Sequence, residues 1–255
     1  MEWSDLLNML FRWLHIAAGI FWIGLLLWFN FINSGFAPTM DAETKKKVVP
    51  ELMPRALWWF RMSAATTWVL GILLLALVFY MGKQMFPEQA HEWTLGSYVM
   101  LALTFLMFPV YDMAAKGGLG KDNKTFAAGS FVVIAIIVYL MYSWGGFGYR
   151  AYNIHLGAMF GTLMAANVWM RIWKAQEKVI AAAKAGTAPD QALVTMSMQR
   201  SRHNVYMSIP LLWTMINAHT VALGEEHWYY LLIVVALGWL LVIQLYKVAG
   251  KIKGI

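Results

Sequence analysis

Of the 255 residues, 60% are hydrophobic and only 13% are charged, against roughly 25% charged in soluble domains. Such a composition excludes an ordinary soluble domain, and the absence of cysteine excludes a thiolate-held iron–sulfur cluster, a covalently attached c-type haem and any disulfide. The net charge of +7 does not point to nucleic acid, because the basic residues gather near the ends of apolar runs and so report membrane topology.

A helix needs about 20 apolar residues to cross a bilayer. Seven such runs are read in the chain, at 6–32, 57–81, 95–115, 126–145, 151–172, 204–221 and 228–247, which predicts an all-α, polytopic bundle in a single membrane domain covering 1–255. The opening Met1-Glu2-Trp3-Ser4-Asp5 is acidic and lacks a basic leader, so the first run is read as a retained helix and not as a cleaved signal. The segment 33–55, with Pro38, Pro50 and Pro54, reads as an irregular connection or short surface helix. Pro109 and Pro210 fall inside the third and sixth runs and are expected to kink them. Trp173 to Ala185 should continue the fifth run as a cytoplasmic helix, stopped by Gly186 and Pro189.

With seven spans the termini lie on opposite sides. An outside N-terminus and inside C-terminus place seventeen of the twenty Lys and Arg residues in the cytoplasm, leaving only Arg12, Lys83 and Arg150 outside. That is the bias the positive-inside rule demands, and it predicts a multi-pass membrane protein with this orientation.

Ionisable side chains inside apolar runs are costly and mark functional sites. His15, His155 and His219 share the outer half of the membrane, whereas His203 lies 16 residues from His219, about 24 Å away along a helix. His91 and His227 fall in outer loops and read as solvated or interfacial side chains. Without cysteine, the cofactor expected at the three histidines is a non-covalent haem b or a bare metal ion. The surroundings favour haem. Arg12, three residues before His15, suits a propionate carboxylate, and Gly19, four residues after it, leaves room for a flat macrocycle. Arg150 precedes His155, while Gly157, Ala158, Gly161 and Ala165 keep that helix slender. A zinc or copper site would want further nitrogen, sulfur or carboxylate ligands, and His219 could supply a third histidine. A second polar group, Arg61, Asp112, His203 and Asn204, gathers at the cytoplasmic ends and could surround a small anion, or could be headgroup-level charge alone.

Several stretches make the chain similar to a known family. These are Arg12-Trp13-Leu14-His15-Ile16 with Trp22-Ile23-Gly24; Trp59-Phe60-Arg61 with Thr66-Thr67-Trp68; and Gly157-Ala158-Met159 with Met164-Ala165-Ala166-Asn167-Val168. To these are added Lys184-Ala185-Gly186 with Ala188-Pro189, and Gln199-Arg200-Ser201-Arg202-His203-Asn204. Together, over roughly residues 8–222, they resemble the N-terminal membrane domain of the bacterial membrane-bound urate oxidase (urate hydroxylase) family. The resemblance implies an inner-membrane protein whose longer members add a final span and a c-type cytochrome domain, oxidise urate to 5-hydroxyisourate and pass the electrons to that cytochrome. This chain ends after the seventh run without a CxxCH, so a cytochrome partner is expected as a separate polypeptide. It also carries Ser63 where the family pattern has an acidic residue.

The leading expectation is therefore a haem b-binding electron-transfer protein. His15 with one or both of His155 and His219 would be the axial ligands, and a periplasmic c-type cytochrome or partner subunit would take the electrons. The enzymatic alternative is urate hydroxylation, with Arg61 and His203 holding the anionic purine. A non-redox transporter or structural subunit is the third class, but the paired broken spans or inverted repeats it would call for are not seen.

Overall fold

The computed structural model describes residues 3–87, 92–117, 120, 122–217 and 227–252. They form helices, with no strand among them: α1 (Trp3–Leu27), α2 (Ser34–Phe36), α3 (Ala42–Leu75), α4 (Leu95–Leu106), α5 (Phe108–Lys116), α6 (Asn123–Ser143), α7 (Tyr149–Asn167), α8 (Trp173–Ala185), α9 (Gln191–Ile216) and α10 (Tyr230–Ala249). Three π-helical segments, Trp28–Asn33, Ala76–Met81 and Val168–Ile172, extend α1, α3 and α7.

Four helical stretches are long and apolar enough to cross a membrane: Trp3–Thr39, Ala42–Met81, Asn123–Ser143 and Tyr230–Ala249. The pair α4 and α5, bent by 51°, makes a fifth if it counts as one broken span. Pro109 stands at the start of α5, where its missing N–H costs nothing, so the bend falls where the sequence placed it. The other two expected runs lie on α7 and α9. Asn153, His155 and Asn167 on the first, and Arg200, Arg202 and Asn204 on the second, dilute the apolar composition; the amides and His155 are fully buried.

The segment 33–55 is more ordered than an irregular connection. Asp41 caps α3 by accepting from the Thr44 N–H at 2.7 Å, a bond that holds its carboxyl below the ordinary range. From there α3 runs through Pro50 and Pro54 without a break. The two prolines are four apart, so the backbone bonds they forfeit fall on one side of the helix. Asp122 caps α6 in the same manner, its carboxyl lowered first by the Thr125 hydroxyl. α9 likewise passes Pro210 unbroken, with Gly238 against the proline ring. α8 ends as its sequence indicates: Gly186 takes φ +70°, and Thr187 N–H reaches back to the Ala182 carbonyl at 3.0 Å.

By their contacts the residues divide into two compact units: 1–72, 164–208 and 240–255 form the first; 73–163 and 209–239 form the second. In the first, Trp22, Leu26, Phe60, Ala64, Met164 and Val205 are buried together with Ser63, Thr67, Asn167, Arg200 and Asn204. In the second, the core is Met100, Val138, Met141, Phe147, Leu156 and Met159 around His155. Gly157 is needed for its packing: a Cβ there would come within 2.0 Å of the Thr214 hydroxyl on α9. Asn153, one turn earlier, donates to the Thr214 carbonyl at 3.0 Å.

Candidate functional site

His15 sits half-buried in the first unit, with Nδ1 2.9 Å from the Thr67 carbonyl on α3. A carbonyl oxygen can only accept, so an imidazole carrying one proton carries it on Nδ1 and keeps its lone pair on Nε2. Among the described residues that Nε2 has no hydrogen-bond partner. Anchoring one ring nitrogen on a backbone carbonyl while presenting the other is how proteins orient a metal-ligating histidine. The ring lies against Gly71, where an added Cβ would be 3.1 Å from His15 Cε1. Gly19, read from sequence as the clearance residue, is less critical, because a Cβ there meets only Thr67 Cγ2 at 3.8 Å. Arg12 is exposed and bonded to Asn8 one turn earlier, Nε to Oδ1 2.7 Å.

His155 belongs to the second unit and is completely buried. Its Nδ1 is 2.7 Å from the Ala151 carbonyl, and its Nε2 is 3.0 Å from the Tyr80 hydroxyl. Phe147, Tyr80 and Phe79 surround the ring, with centroids 5.2, 5.9 and 6.2 Å away. Arg150 is part-exposed on the same helix. His219 and His91 lie outside the described residues, and His227 is exposed and stacked on Tyr229. Among the described residues no group of three or more His, Cys, Asp or Glu side chains is arranged to hold a metal ion.

Of the second polar group, Arg61, His203 and Asn204 lie in the first unit and Asp112 in the second. Asp112 is buried and paired with Lys116 one turn on, at 2.7 Å. The Arg61 guanidinium lies over two indoles, 4.0 Å from the Trp173 ring centroid and 4.9 Å from that of Trp169. Its Nε is buried without a hydrogen-bond acceptor among the described residues. Asn204 is fully buried, accepting from Asn167 at 2.9 Å and donating to the Met164 carbonyl at 3.1 Å. The partners of Arg61 and Asn204 thus share one stretch of chain, 164–173. Ser63 is buried and bonded to the Phe60 carbonyl.

Residues 42–253 match the family described as Urate oxidase N-terminal. The chain belongs to that family. The matched stretch takes in Arg61, Gly71, Tyr80, His155, Trp169, Trp173, His203 and Asn204, while Arg12, His15 and Gly19 precede it. No curated protein and no solved structure matches the chain.

Sequence reading missed five residues. Gly71, Tyr80, Trp169 and Trp173 act across helix contacts that periodicity does not reveal. Asn30 is the fifth: it accepts from the Tyr246 hydroxyl at 2.9 Å and donates to Ser201 Oγ and the Leu26 carbonyl, both at 2.8 Å. Asn30, Tyr80 and Trp169 each stand in a π-helical segment. A π turn inserts a residue and shifts the side-chain register, which is why such segments recur at functional positions.

Proposed function

We propose that this member of the urate oxidase N-terminal family is a membrane redox protein that holds a non-covalent haem b through His15 and passes electrons to a c-type cytochrome on the outer face. The observation that carries the reading is the His15 ring, fixed by Thr67 and offering an unpartnered Nε2. A haem b there would supply a one-electron iron couple. The chain's own contribution is to fix the ring's tautomer, to give it room at Gly71 and to place Arg12 one turn away for a carboxylate. His155 and His219 are the proposed further ligands; for His155 this requires the Tyr80 hydroxyl to leave Nε2. We read the membrane topology as seven crossings with the N-terminus outside, on the strength of the Lys and Arg distribution, and take the membrane to be a bacterial inner membrane from the family resemblance. An absorption spectrum of the purified protein, oxidised and then reduced with dithionite, tests the proposal. Low-spin haem bands that vanish in His15→Ala are the expected result, and full haem occupancy in that variant overturns the ligand assignment.

A second reading, urate oxidation to 5-hydroxyisourate at the other polar group, is favoured by Arg61. A buried guanidinium N–H without an acceptor is costly, and a flat anion would satisfy it while stacking beside Trp169 and Trp173. Anaerobic addition of urate to oxidised protein should then reduce its haem.

A further inference from the structure

Neither proposed site uses a cleft of about 440 Å³ in the first unit, between α8 with its preceding π turn and the start of α9. Its size falls within the range of small-molecule sites, roughly 300–1,000 Å³. Arg171, Lys174 and Lys178 line it, spaced three and four residues apart and so on one helix face. Glu177 is the only carboxylate in the lining, against those three cations. Lys174, Glu177 and Lys178 are exposed, and none of the three forms an ion pair among the described residues. The remaining walls are apolar: exposed Met170, Leu193, Met196 and buried Ala175.

Depth gives this charge a partner. Arg171 closes the apolar run 151–172, and Lys174 and Lys178 follow at about 5 and 11 Å further along the helix at ~1.5 Å per residue. The headgroup layer outside the hydrocarbon is roughly 5–7 Å thick on each side. Arg171 and Lys174 therefore lie at the headgroup level, Lys178 lies a few ångströms beyond it with a side chain long enough to reach back, and exposed Met170 lies on the hydrocarbon side of Arg171 along the chain. A free soluble anion would have no use for the apolar end of such a cleft, and a neutral lipid would have none for the cations.

We infer that the cleft binds an anionic phospholipid, its phosphodiester against Arg171 and Lys174 and its acyl chains leaving over Met170. Lys178 reaches the outer part of the headgroup, and Glu177 limits affinity by opposing it. The inference needs only that the run 151–172 borders the bilayer. It stands or falls apart from the haem and urate readings, whose spectra it does not touch.

The test is the thermal unfolding midpoint of the full chain in a neutral detergent, titrated with phosphatidylglycerol, with phosphatidylcholine or with inorganic phosphate. Phosphatidylglycerol should raise the midpoint saturably and the other two should not. Arg171→Gln, Lys174→Gln and Lys178→Gln should each weaken the apparent affinity by roughly fivefold, the effect of one basic group at a membrane surface, and Glu177→Gln should strengthen it. Lys174, Lys178 and Glu177 are exposed, so at least these three variants keep the fold. An equal response to phosphatidylcholine, an equal response to phosphate, or unchanged affinity in the lysine variants would each overturn the inference.

Discussion

The Tyr80 hydroxyl and Nε2 of His155 are 3.0 Å apart, and Nδ1 of the same ring is 2.7 Å from the Ala151 carbonyl. Both ring nitrogens are therefore committed. With the single proton on Nδ1, Tyr80 is the donor, and the ring presents to it the lone pair a metal would use. The contrast with His15 is instructive: the same backbone anchor is present, but nothing caps its Nε2 among the described residues. One histidine is open as it stands, and the other is closed by a single hydroxyl.

Replacing Tyr80 by Phe tests what that hydroxyl does. Losing a donor to a buried acceptor costs ~1–3 kcal/mol in soluble proteins, but hydrogen bonds between membrane helices average ~0.6 kcal/mol. The expected loss is about 1 kcal/mol of stability, read from equilibrium unfolding in detergent. If His155 becomes a ligand once uncapped, the low-spin fraction of the haem spectrum rises in Tyr80→Phe. If His155 only packs the core, the spectrum stays and the stability loss remains alone.

The two glycines near His15 should respond differently to alanine. Both lie in helices, where Gly→Ala ordinarily gains ~0.5–1 kcal/mol. Gly19→Ala meets only an ordinary contact at 3.8 Å, so it should stabilise the protein and leave haem content unchanged. Gly71→Ala places a methyl 3.1 Å from His15 Cε1, and the ring must move by a few tenths of an ångström or leave its carbonyl. Lower haem stoichiometry in Gly71→Ala alone is the expected outcome; equal behaviour of the two variants would remove Gly71 from the site.

The helices were readable because an apolar run is a composition, visible wherever it occurs, and the stop at Gly186 because a left-handed cap needs glycine. His15 and His155 were readable for the same reason, since an ionisable residue in an apolar run stands out. Their partners were not. Thr67 and Gly71 reach His15, and Tyr80 reaches His155, through helix pairings that one strand of sequence does not encode locally. The helix through Pro50 and Pro54 was hidden because proline is read as a breaker, and two prolines one turn apart on a capped helix escape that rule. The π segments leave no periodicity of their own. Tyr80 and Trp169 both stand in them.

Topology can be checked without any cofactor. A reporter active only outside the cytoplasm should be active when inserted in the 83–93 connection and silent when fused after Ile255. The reverse pattern would move His15 to the cytoplasmic half and end the case for an outer-face cytochrome as electron acceptor.

Arg61 decides between headgroup-level charge and an anion site. Its guanidinium lies over the Trp169 and Trp173 rings, an arrangement a lysine ammonium does not reproduce, because it lacks the planar face and the fixed fork of donors. If the residue were only topological charge, Arg61→Lys would be silent, since the positive-inside rule counts lysine and arginine alike. If it binds a flat anion, Arg61→Lys should lose most of the urate-driven haem reduction and Arg61→Ala all of it, with the haem spectrum itself unchanged in both. A charge-assisted hydrogen bond to an anion is worth ~1.5–3 kcal/mol, so losing one donor of the guanidinium fork predicts a urate affinity lower by roughly tenfold or more in the lysine variant. Anaerobic titration of the oxidised protein with urate, followed at the reduced haem band, reads that difference directly. Wild-type and lysine proteins with equal affinity would leave Arg61 as a surface anchor of the fold and return the urate reading to family resemblance alone.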